Sequence, residues 1–276
     1  MLWVPQKGRV RVITNDGIVG TLTPGTGVPS NATTLLDGAV TELISSTANN
    51  QESWGIELLI MLTGSATTAC EACMDILIGG ATDDVLISAL ICGHASSVNQ
   101  GACARYLFPL HIPQGKRSAA VLASVRTSIT SQVICRLYGG GVPPWRVGRK
   151  VITYGTQINN ARGQAVTPAA SGATALVTEM TASSTEPHFA FLPGFQVATD
   201  TSVTLKSINI GIGTGAATEE RIGTWWYQTS TNEDLSGPNP CWPCFRDVPS
   251  GTRLTLLASN SGTNDGAYDG LIYGVT

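Results

Sequence analysis

IPQGKRSAAVLAS, at residues 112–124, returns in altered form as VPSGTRLTLLAS at residues 248–259. In each copy a proline is followed two residues later by a glycine, and an arginine then opens an apolar segment. Proline has no backbone N–H and suits a strand entrance, while glycine allows a tight turn. The repeated segment therefore predicts a turn followed by a strand, twice in one chain.

The repeat extends beyond this segment. Five further blocks occur in the same order in both halves, at similar offsets. This agreement indicates a tandem duplication with halves at 1–141 and 145–276, joined by GGGVPP at 139–144. Because that joint is short, we expect the two domains to sit against each other. The matching blocks are 8–14 with 148–153, 22–24 with 166–168, 40–47 with 177–185, 76–84 with 210–220 and 137–139 with 272–274.

The composition favours β-structure in each half. Apolar residues make up 42% of the chain, and 31 glycines and 14 prolines interrupt them. Short alternating segments such as 133–138 and 252–257 end at turn residues, which is typical of a sandwich or barrel. We predict an all-β protein with two tandem jelly-roll-like β-sandwich domains. Residues 1–35 form either an arm that reaches a neighbouring subunit or an ordinary strand of the first domain.

The distribution of charge excludes several partners. Only 13% of the residues are charged and the formal net charge is −3, so no long basic tract is present to bind a nucleic-acid backbone. The most apolar runs, 54–62 and 85–92, are shorter than a bilayer span. With no secretory signal at the N-terminus, we expect folding in a cytoplasm. We predict no nucleic-acid and no membrane partner.

Catalytic motifs are absent from the sequence. Its three histidines are His94, His111 and His188, and no Gly-x-Ser-x-Gly elbow accompanies them. The acidic pairs 83–84 and 219–220 recur in both halves, but neighbouring strand residues point to opposite faces, so we interpret them as solvated loop charge. We therefore predict a protein that is not an enzyme and needs no cofactor.

The seven cysteines raise the question of a metal site. Cys70 and Cys73 form one Cys-x-x-Cys pair, and Cys241 and Cys244 form another, which together would suit a structural zinc ion. The pairs lie in different halves and at non-equivalent places in the repeat. We therefore expect no metal, and we interpret cysteines in strands as reduced, buried, small hydrophobic residues.

Two sets of residues are candidates for structural or interface roles. Arg117 and Arg253 each have a carboxylate candidate in their own half, and Glu42 and Glu179 are the acidic positions retained in both; two solvated arginines are the alternative. Among the clustered aromatics, strand alternation predicts that Trp225 or Trp226 is buried and the other exposed. The full candidate set is Pro113, Gly115, Arg117, Pro249, Gly251, Arg253, Trp225, Trp226 and Trp242.

The repeated pattern resembles that of structural proteins of tailed-bacteriophage virions. The pattern is Ile/Val-Pro-x-Gly-x-Arg, an alternating strand and a last strand ending in Tyr-Gly, at 112–117 with 138–139 and at 248–253 with 273–274. The resemblance implies a capsid-decorating, cement or tail protein of the virion, assembled in the host cytoplasm with major capsid or tail proteins as partners. Three copies of a duplicated chain would present six similar domains, so we favour a homo-oligomer, in particular a trimer.

Two other functions are consistent with the sequence. Exposed tryptophans on a β-sandwich would suit a carbohydrate-binding or receptor-binding module. A hydrolase on the same fold would require a polar cluster around one histidine.

Overall fold

The computed structural model describes residues 9–16, 25–63, 71–79, 82–93, 103–127, 129–157, 163–171, 173–200, 206–215, 219–229, 235–236, 242–263 and 266–276. Within these ranges the protein is all-β, with nineteen strands in four antiparallel sheets and no helix, so no described helix could cross a membrane. The predicted fold class is confirmed.

The first nine strands form two sheets. One sheet has the order β1-β9-β4-β7, with β2 also paired to β9, and the other has the order β3-β8-β5-β6. The strands are β1 (Arg11–Thr14), β2 (Thr26–Pro29), β3 (Thr41–Ile44), β4 (Ser53–Thr63), β5 (Ala72–Gly79), β6 (Asp83–Ile91), β7 (Cys103–Phe108), β8 (Arg117–Ser124) and β9 (Thr130–Gly139).

The remaining strands form two further sheets with the same arrangement. Their orders are β10-β19-β13-β17, with β11 also on β19, and β12-β18-β14-β15-β16. The strands are β10 (Val151–Tyr154), β11 (Gln164–Val166), β12 (Leu176–Thr181), β13 (His188–Asp200), β14 (Lys206–Thr214), β15 (Glu220–Thr229), β16 (Leu235–Ser236), β17 (Cys244–Val248), β18 (Leu254–Asn260) and β19 (Gly266–Val275).

Each first-half strand has a counterpart in the second half at the same place in its sheet, and β16 is the one described addition. This correspondence is the structural expression of the duplication. Each domain is a jelly-roll sandwich in which the first strand is split into two short pieces on the last strand. The described parts of residues 1–35 are therefore ordinary strands of the first domain, while the predicted boundaries at 141 and 145 stay a prediction.

The sandwich interiors follow from strand alternation. In β9 every second residue is buried, and Val133, Cys135 and Leu137 have no exposed surface. Opposite them on β4, Ile56, Leu58 and Ile60 are also fully buried. Removal of such side chains from water is the main stabilising contribution to the fold.

The two domains share one continuous core. The strands β6 and β7 lie at the same open edge of the first sandwich, and the outer face of the β13–β19 sheet covers that edge. Tyr273 of β19 packs edge-on against Tyr106 and Phe108, with ring centroids 5.8 Å apart in both pairs. Its hydroxyl accepts a hydrogen bond from the Ile91 N–H (2.8 Å) and donates one to the Ala89 carbonyl (3.0 Å). This face-to-edge contact is called the domain junction below.

Candidate functional site

The repeated arginines both form ion pairs, through equivalent strands. Arg117, at the start of β8, donates from Nε to Asp83 Oδ1 (2.9 Å) and from Nη2 to Asp83 Oδ2. Arg253, just before β18, donates from Nε to Glu179 Oε2 (2.6 Å) and from Nη1 to Glu219 Oε1. The expected Arg253–Glu179 pair is therefore present, whereas the carboxylate bound by Arg117 is Asp83 and not Glu42.

The acidic pairs differ from the sequence interpretation. The side chains of Asp83 and Glu219 are only 11% and 12% exposed and lie against the repeated arginines, so they are not solvated loop charge. The hydrogen bond from Arg117 lowers the pKa of Asp83. Strand alternation predicts that the two acidic residues of each pair point to opposite faces. It could not show that an arginine lies on one of those faces.

The Pro-x-Gly turns are also equivalent in the two domains. Gly115 has a φ of 76° and donates its N–H to the Asn49 carbonyl (2.8 Å), while Gly251 has a φ of 80° and donates to the Ser184 carbonyl (2.7 Å). The carbonyl of Pro113 accepts from Asn49 Nδ2, and that of Pro249 accepts from Ser184 Oγ. These residues thus fix the turn before β8 and β18, a structural role that leaves any interface role a prediction.

The tryptophans divide as strand alternation predicts. Trp225 is 7% exposed and donates from Nε1 to the Trp242 carbonyl (3.0 Å), while Trp226 is 63% exposed. Trp226 lies opposite Asn209 in the register of β14 and β15, and Asn209 Oδ1 accepts a hydrogen bond from Arg221 (3.1 Å). Trp242 is exposed as well. Trp226 therefore presents an aromatic surface beside polar side chains.

A further tryptophan connects the two domains, and sequence reasoning missed it. Trp145 follows the GGGVPP segment and packs edge-on against Trp54 of the first domain (5.4 Å between centroids). On its other side it contacts Trp242 (6.4 Å) and Phe245 (6.3 Å) of the second domain. The sequence did contain one indication of this contact, because a large aromatic residue directly follows the Gly/Pro joint.

A cleft of about 830 Å³ opens beside this joint. One wall comes from the start of β1 and β4 and the other from the joint itself. Gly140 adopts a φ of 72°, and a Cβ there would lie 2.8 Å from the Arg9 carbonyl oxygen, so the wall requires glycine. The lining residues are Arg9, Arg11, Gln51, Glu52, Ser53, Trp54, His111, Gly140, Gly141, Pro143, Val147, Gly148 and Arg149.

One histidine has a polar cluster around it in this cleft. His111 Nε2 lies 2.7 Å from Glu52 Oε2, and Glu52 Oε1 accepts a hydrogen bond from the Gln114 N–H (3.2 Å). The Gln114 N–H and His111 together lower the pKa of Glu52, which keeps this carboxylate ionised. His94 lies outside the described residues, and His188 is buried with its Nε2 2.7 Å from the Tyr154 hydroxyl. The sequence contained His111 but not its neighbours in space.

The zinc hypothesis falls partly outside the described structure. Cys70 and Cys241 are not among the described residues, and Cys73 and Cys244 lie in different domains. The described residues contain no group of three or more His, Cys, Asp or Glu side chains placed to hold a metal ion. Cys73, Cys92 and Cys135 are buried, and burial raises the pKa of the Cys135 thiol to about 12.

Comparisons with known proteins give only weak matches, all of them to solved structures. No protein-family model and no curated protein matches the sequence. PNGF-II matches 96% of this chain and 66% of its own, with a TM-score of 0.38 and 10% identity, so this chain spans slightly less than two thirds of PNGF-II. PNGase F from Flavobacterium meningosepticum, a glycosylasparaginase, matches over 97% and 96% (TM-score 0.32, 8% identity). A T=1 Penaeus vannamei nodavirus structure matches over 91% and 96% (TM-score 0.23, 10% identity).

One prediction needs correction. The sequence analysis predicts a protein that is not an enzyme, and this is contradicted because a glycosylasparaginase is among the solved structures that match the chain. The sequence argument failed because it searched for local motifs, whereas polar side chains distant in sequence can meet in a cleft, as Glu52 and His111 do here. A nodavirus structure is among the weak matches, and the resemblance to phage proteins stays a prediction.

Proposed function

We propose that the protein is a structural component of a virion that assembles through repetition of its own domain junction. In this proposal it decorates or cements the capsid or forms part of the tail of a bacteriophage, with major capsid or tail proteins as partners. It is assembled in the host cytoplasm and is then part of the virion.

The observation that carries the proposal is the asymmetry of the domain junction. The junction joins the β6/β7 edge of the first domain to the outer sheet face of the second. The duplication provides a second, equivalent pair of surfaces, namely the β15/β17 edge of the second domain and the outer face of the β1-β9-β4-β7 sheet, and within the chain Trp145 contacts residues at both. Head-to-tail contacts of this kind between copies build rings when their rotation closes.

Both surfaces of this second pair still carry exposed apolar residues. In β17, Phe245 is 47% exposed, and the preceding Trp242 is 53% exposed. On the face of the first domain, Val12 is 46% exposed and lies opposite Tyr138 in the register of β1 and β9, so both point outward. Exposed apolar groups on a sheet edge and on a sheet face are typical of interaction surfaces. The proposed occupant of each surface is a second copy of this chain.

Light scattering of the purified native protein tests this assembly. We expect a ring, with a trimer favoured because it would present six similar domains. Trp242→Glu on the edge and Val12→Glu on the face should each reduce the mass to that of a monomer, since either one removes half of the contact. Leu36→Glu is the matched control, because Leu36 is 54% exposed and lies between β2 and β3.

A monomeric native protein would overturn the assembly mechanism. The same holds if Leu36→Glu dissociates the oligomer as effectively as the two interface variants. Mass spectrometry of purified virions tests the location separately, and absence of the protein from particles that contain their other structural proteins would contradict it.

The exposed surface of Trp226 favours a second function, carbohydrate or receptor binding. Trp226 lies among the exposed polar residues Thr224, Gln228 and Arg221, and an aromatic face beside hydrogen-bonding groups suits a sugar ring. Binding to a glycan array tests this function. Trp226→Ala should abolish any specific signal while Trp242→Ala preserves it, and equal binding by both variants would exclude the Trp226 surface.

A further inference from the structure

The cleft beside the domain joint concentrates positive charge in an acidic protein. Three arginines, Arg9, Arg11 and Arg149, line it together with one carboxylate, Glu52. The three arginines and the one carboxylate together carry a net charge of +2. The whole chain has a formal net charge of −3. The net charge of the cleft lining is therefore opposite in sign to the net charge of the whole chain.

The arginines are not neutralised by the cleft's own carboxylate. Both oxygens of Glu52 are engaged, one with His111 and the other with the Gln114 N–H. Throughout the described part of the chain, no ion pair involves Arg9, Arg11 or Arg149. By contrast, Arg117, Arg136 and Arg253 all have carboxylate partners. Three arginines of one cleft are thus without a carboxylate partner among the described residues.

The remaining lining supplies a donor and an apolar wall. Ser53 is 1% exposed, and its hydroxyl has no hydrogen-bond partner among the described residues. A buried polar atom without a partner is costly, and a ligand in the cleft would provide one. Trp54 beside it is held by a hydrogen bond from its Nε1 to the Gly140 carbonyl (3.0 Å). The cleft volume of about 830 Å³ lies within the range of small-molecule sites.

We infer that this cleft is a binding site for a small molecule that carries an oxyanion, either a phosphate or a carboxylate group. Guanidinium groups bind both anions through paired, charge-assisted hydrogen bonds. Arg11 and Arg149, which come from the two sides of the cleft, hold the anion, and Ser53 donates to it. The lining of this site includes neither Val12 nor Trp242, so the two assembly variants leave its own side chains unchanged.

Calorimetric titration at low ionic strength tests the inference, with inorganic phosphate and citrate as separate probes. We expect at least one of them to bind the native protein, and the preferred probe distinguishes a phosphate ligand from a carboxylate ligand. The double variant Arg11→Ala/Arg149→Ala should weaken binding by about tenfold or more, which corresponds to about 1.4 kcal/mol or more, because it removes both guanidinium groups that pair with the anion. Arg126→Ala is the control, because Arg126 is exposed in the first domain but does not line the cleft.

Retention of binding by the control and its loss in the double variant would support the site. The inference is overturned if neither probe binds the native protein, or if the control loses binding as the double variant does. Ser53→Ala adds an independent measurement, because it removes a hydroxyl without changing the charge. This variant should weaken the binding of the same probe, and unchanged affinity would show that Ser53 does not contact the anion.

Discussion

The last strand of each domain has a Tyr-Gly pair at or near its end, yet the two tyrosines have different environments. Tyr138 is half-buried on the outer face of the first domain, and its hydroxyl donates to Glu57 Oε2 (2.7 Å). Tyr273 is fully buried at the domain junction, with its hydroxyl on the backbone of β6. The duplicated sheet face was therefore kept polar in one domain and became a packing surface in the other.

The neighbours of the two tyrosines explain this divergence. On β4, Gly55 lies opposite Tyr138, and Glu57, two residues later, lies opposite Arg136. At the equivalent place in the second domain, Gly194 lies opposite Leu271. A Cβ on Gly194 would lie 2.6 Å from the Tyr273 hydroxyl oxygen, so a side chain there would displace the ring. Where the first face has the Glu57–Arg136 ion pair, the second face thus has a glycine and a leucine, and the adjacent Tyr273 packs against the first sandwich.

The largest expected effect tests this difference between the tyrosines. Tyr273→Ala should lower the free energy of unfolding by about 3–5 kcal/mol, because it opens a cavity at the junction and leaves backbone groups of β6 without a partner. Tyr138→Ala should cost about 1–2 kcal/mol, since its ring is half-exposed. Urea denaturation followed by circular dichroism measures both. Equal losses would show that the junction does not contribute specifically.

The next prediction concerns the polar network around Glu57. Among the described residues, this network occurs in the first domain only. Glu57 accepts hydrogen bonds from Arg105 (2.6 Å), Tyr138 (2.7 Å) and Arg136 (3.2 Å). Burial acts to raise the pKa of Glu57, but these hydrogen bonds outweigh it, and the pKa lies below its ordinary value of 4.5. Glu57→Gln should cost about 1–3 kcal/mol at neutral pH, because Arg105 and Arg136 each lose a charged partner, although Arg136 keeps its ion pair with Asp16.

The pH dependence of the unfolding free energy, compared between the native protein and Glu57→Gln, sharpens this prediction. Since the pKa of Glu57 is lower in the folded state than in the unfolded state, its stabilisation is present above the ordinary value and is lost as the pH falls through the lowered one. The difference in unfolding free energy between native protein and Glu57→Gln should therefore shrink below about pH 4. A difference that stays constant into strong acid would contradict the role of the ionised carboxylate.

The smallest expected effect tests what the two domains still share. Gly115→Ala and Gly251→Ala should each cost about 1 kcal/mol, because both positions have positive φ. The space for a methyl group is open at both: no atom lies within 4 Å of a Cβ on Gly115, and Ser183 Oγ lies 4.0 Å from one on Gly251. Backbone strain alone is therefore measured. Lys116→Ala is the control in the same turn, and clearly unequal losses would show that the turns have diverged.

The sequence predicted the parts of this protein that depend on local pattern. The repeated blocks predicted two equivalent domains, and alternation predicted which of Trp225 and Trp226 is buried. It also predicted that Arg253 meets Glu179, since both positions recur at matching places. The pairing of Arg117 with Asp83 was missed, because the strand alternation that separates Asp83 from Asp84 does not show which residue of another strand lies beside each.

The sequence by itself determined an all-β chain of two duplicated sandwiches, because alternation and turn residues act over a few neighbouring positions. Only the tertiary structure decided that Tyr273 is buried while Tyr138 is not, that Trp145 packs between the domains, and that Arg11, Glu52, His111 and Arg149 line one cleft. Those arrangements depend on how one domain docks on the other. Docking brings together residues as far as 184 positions apart, as Ala89 and Tyr273 are, and no local pattern records it.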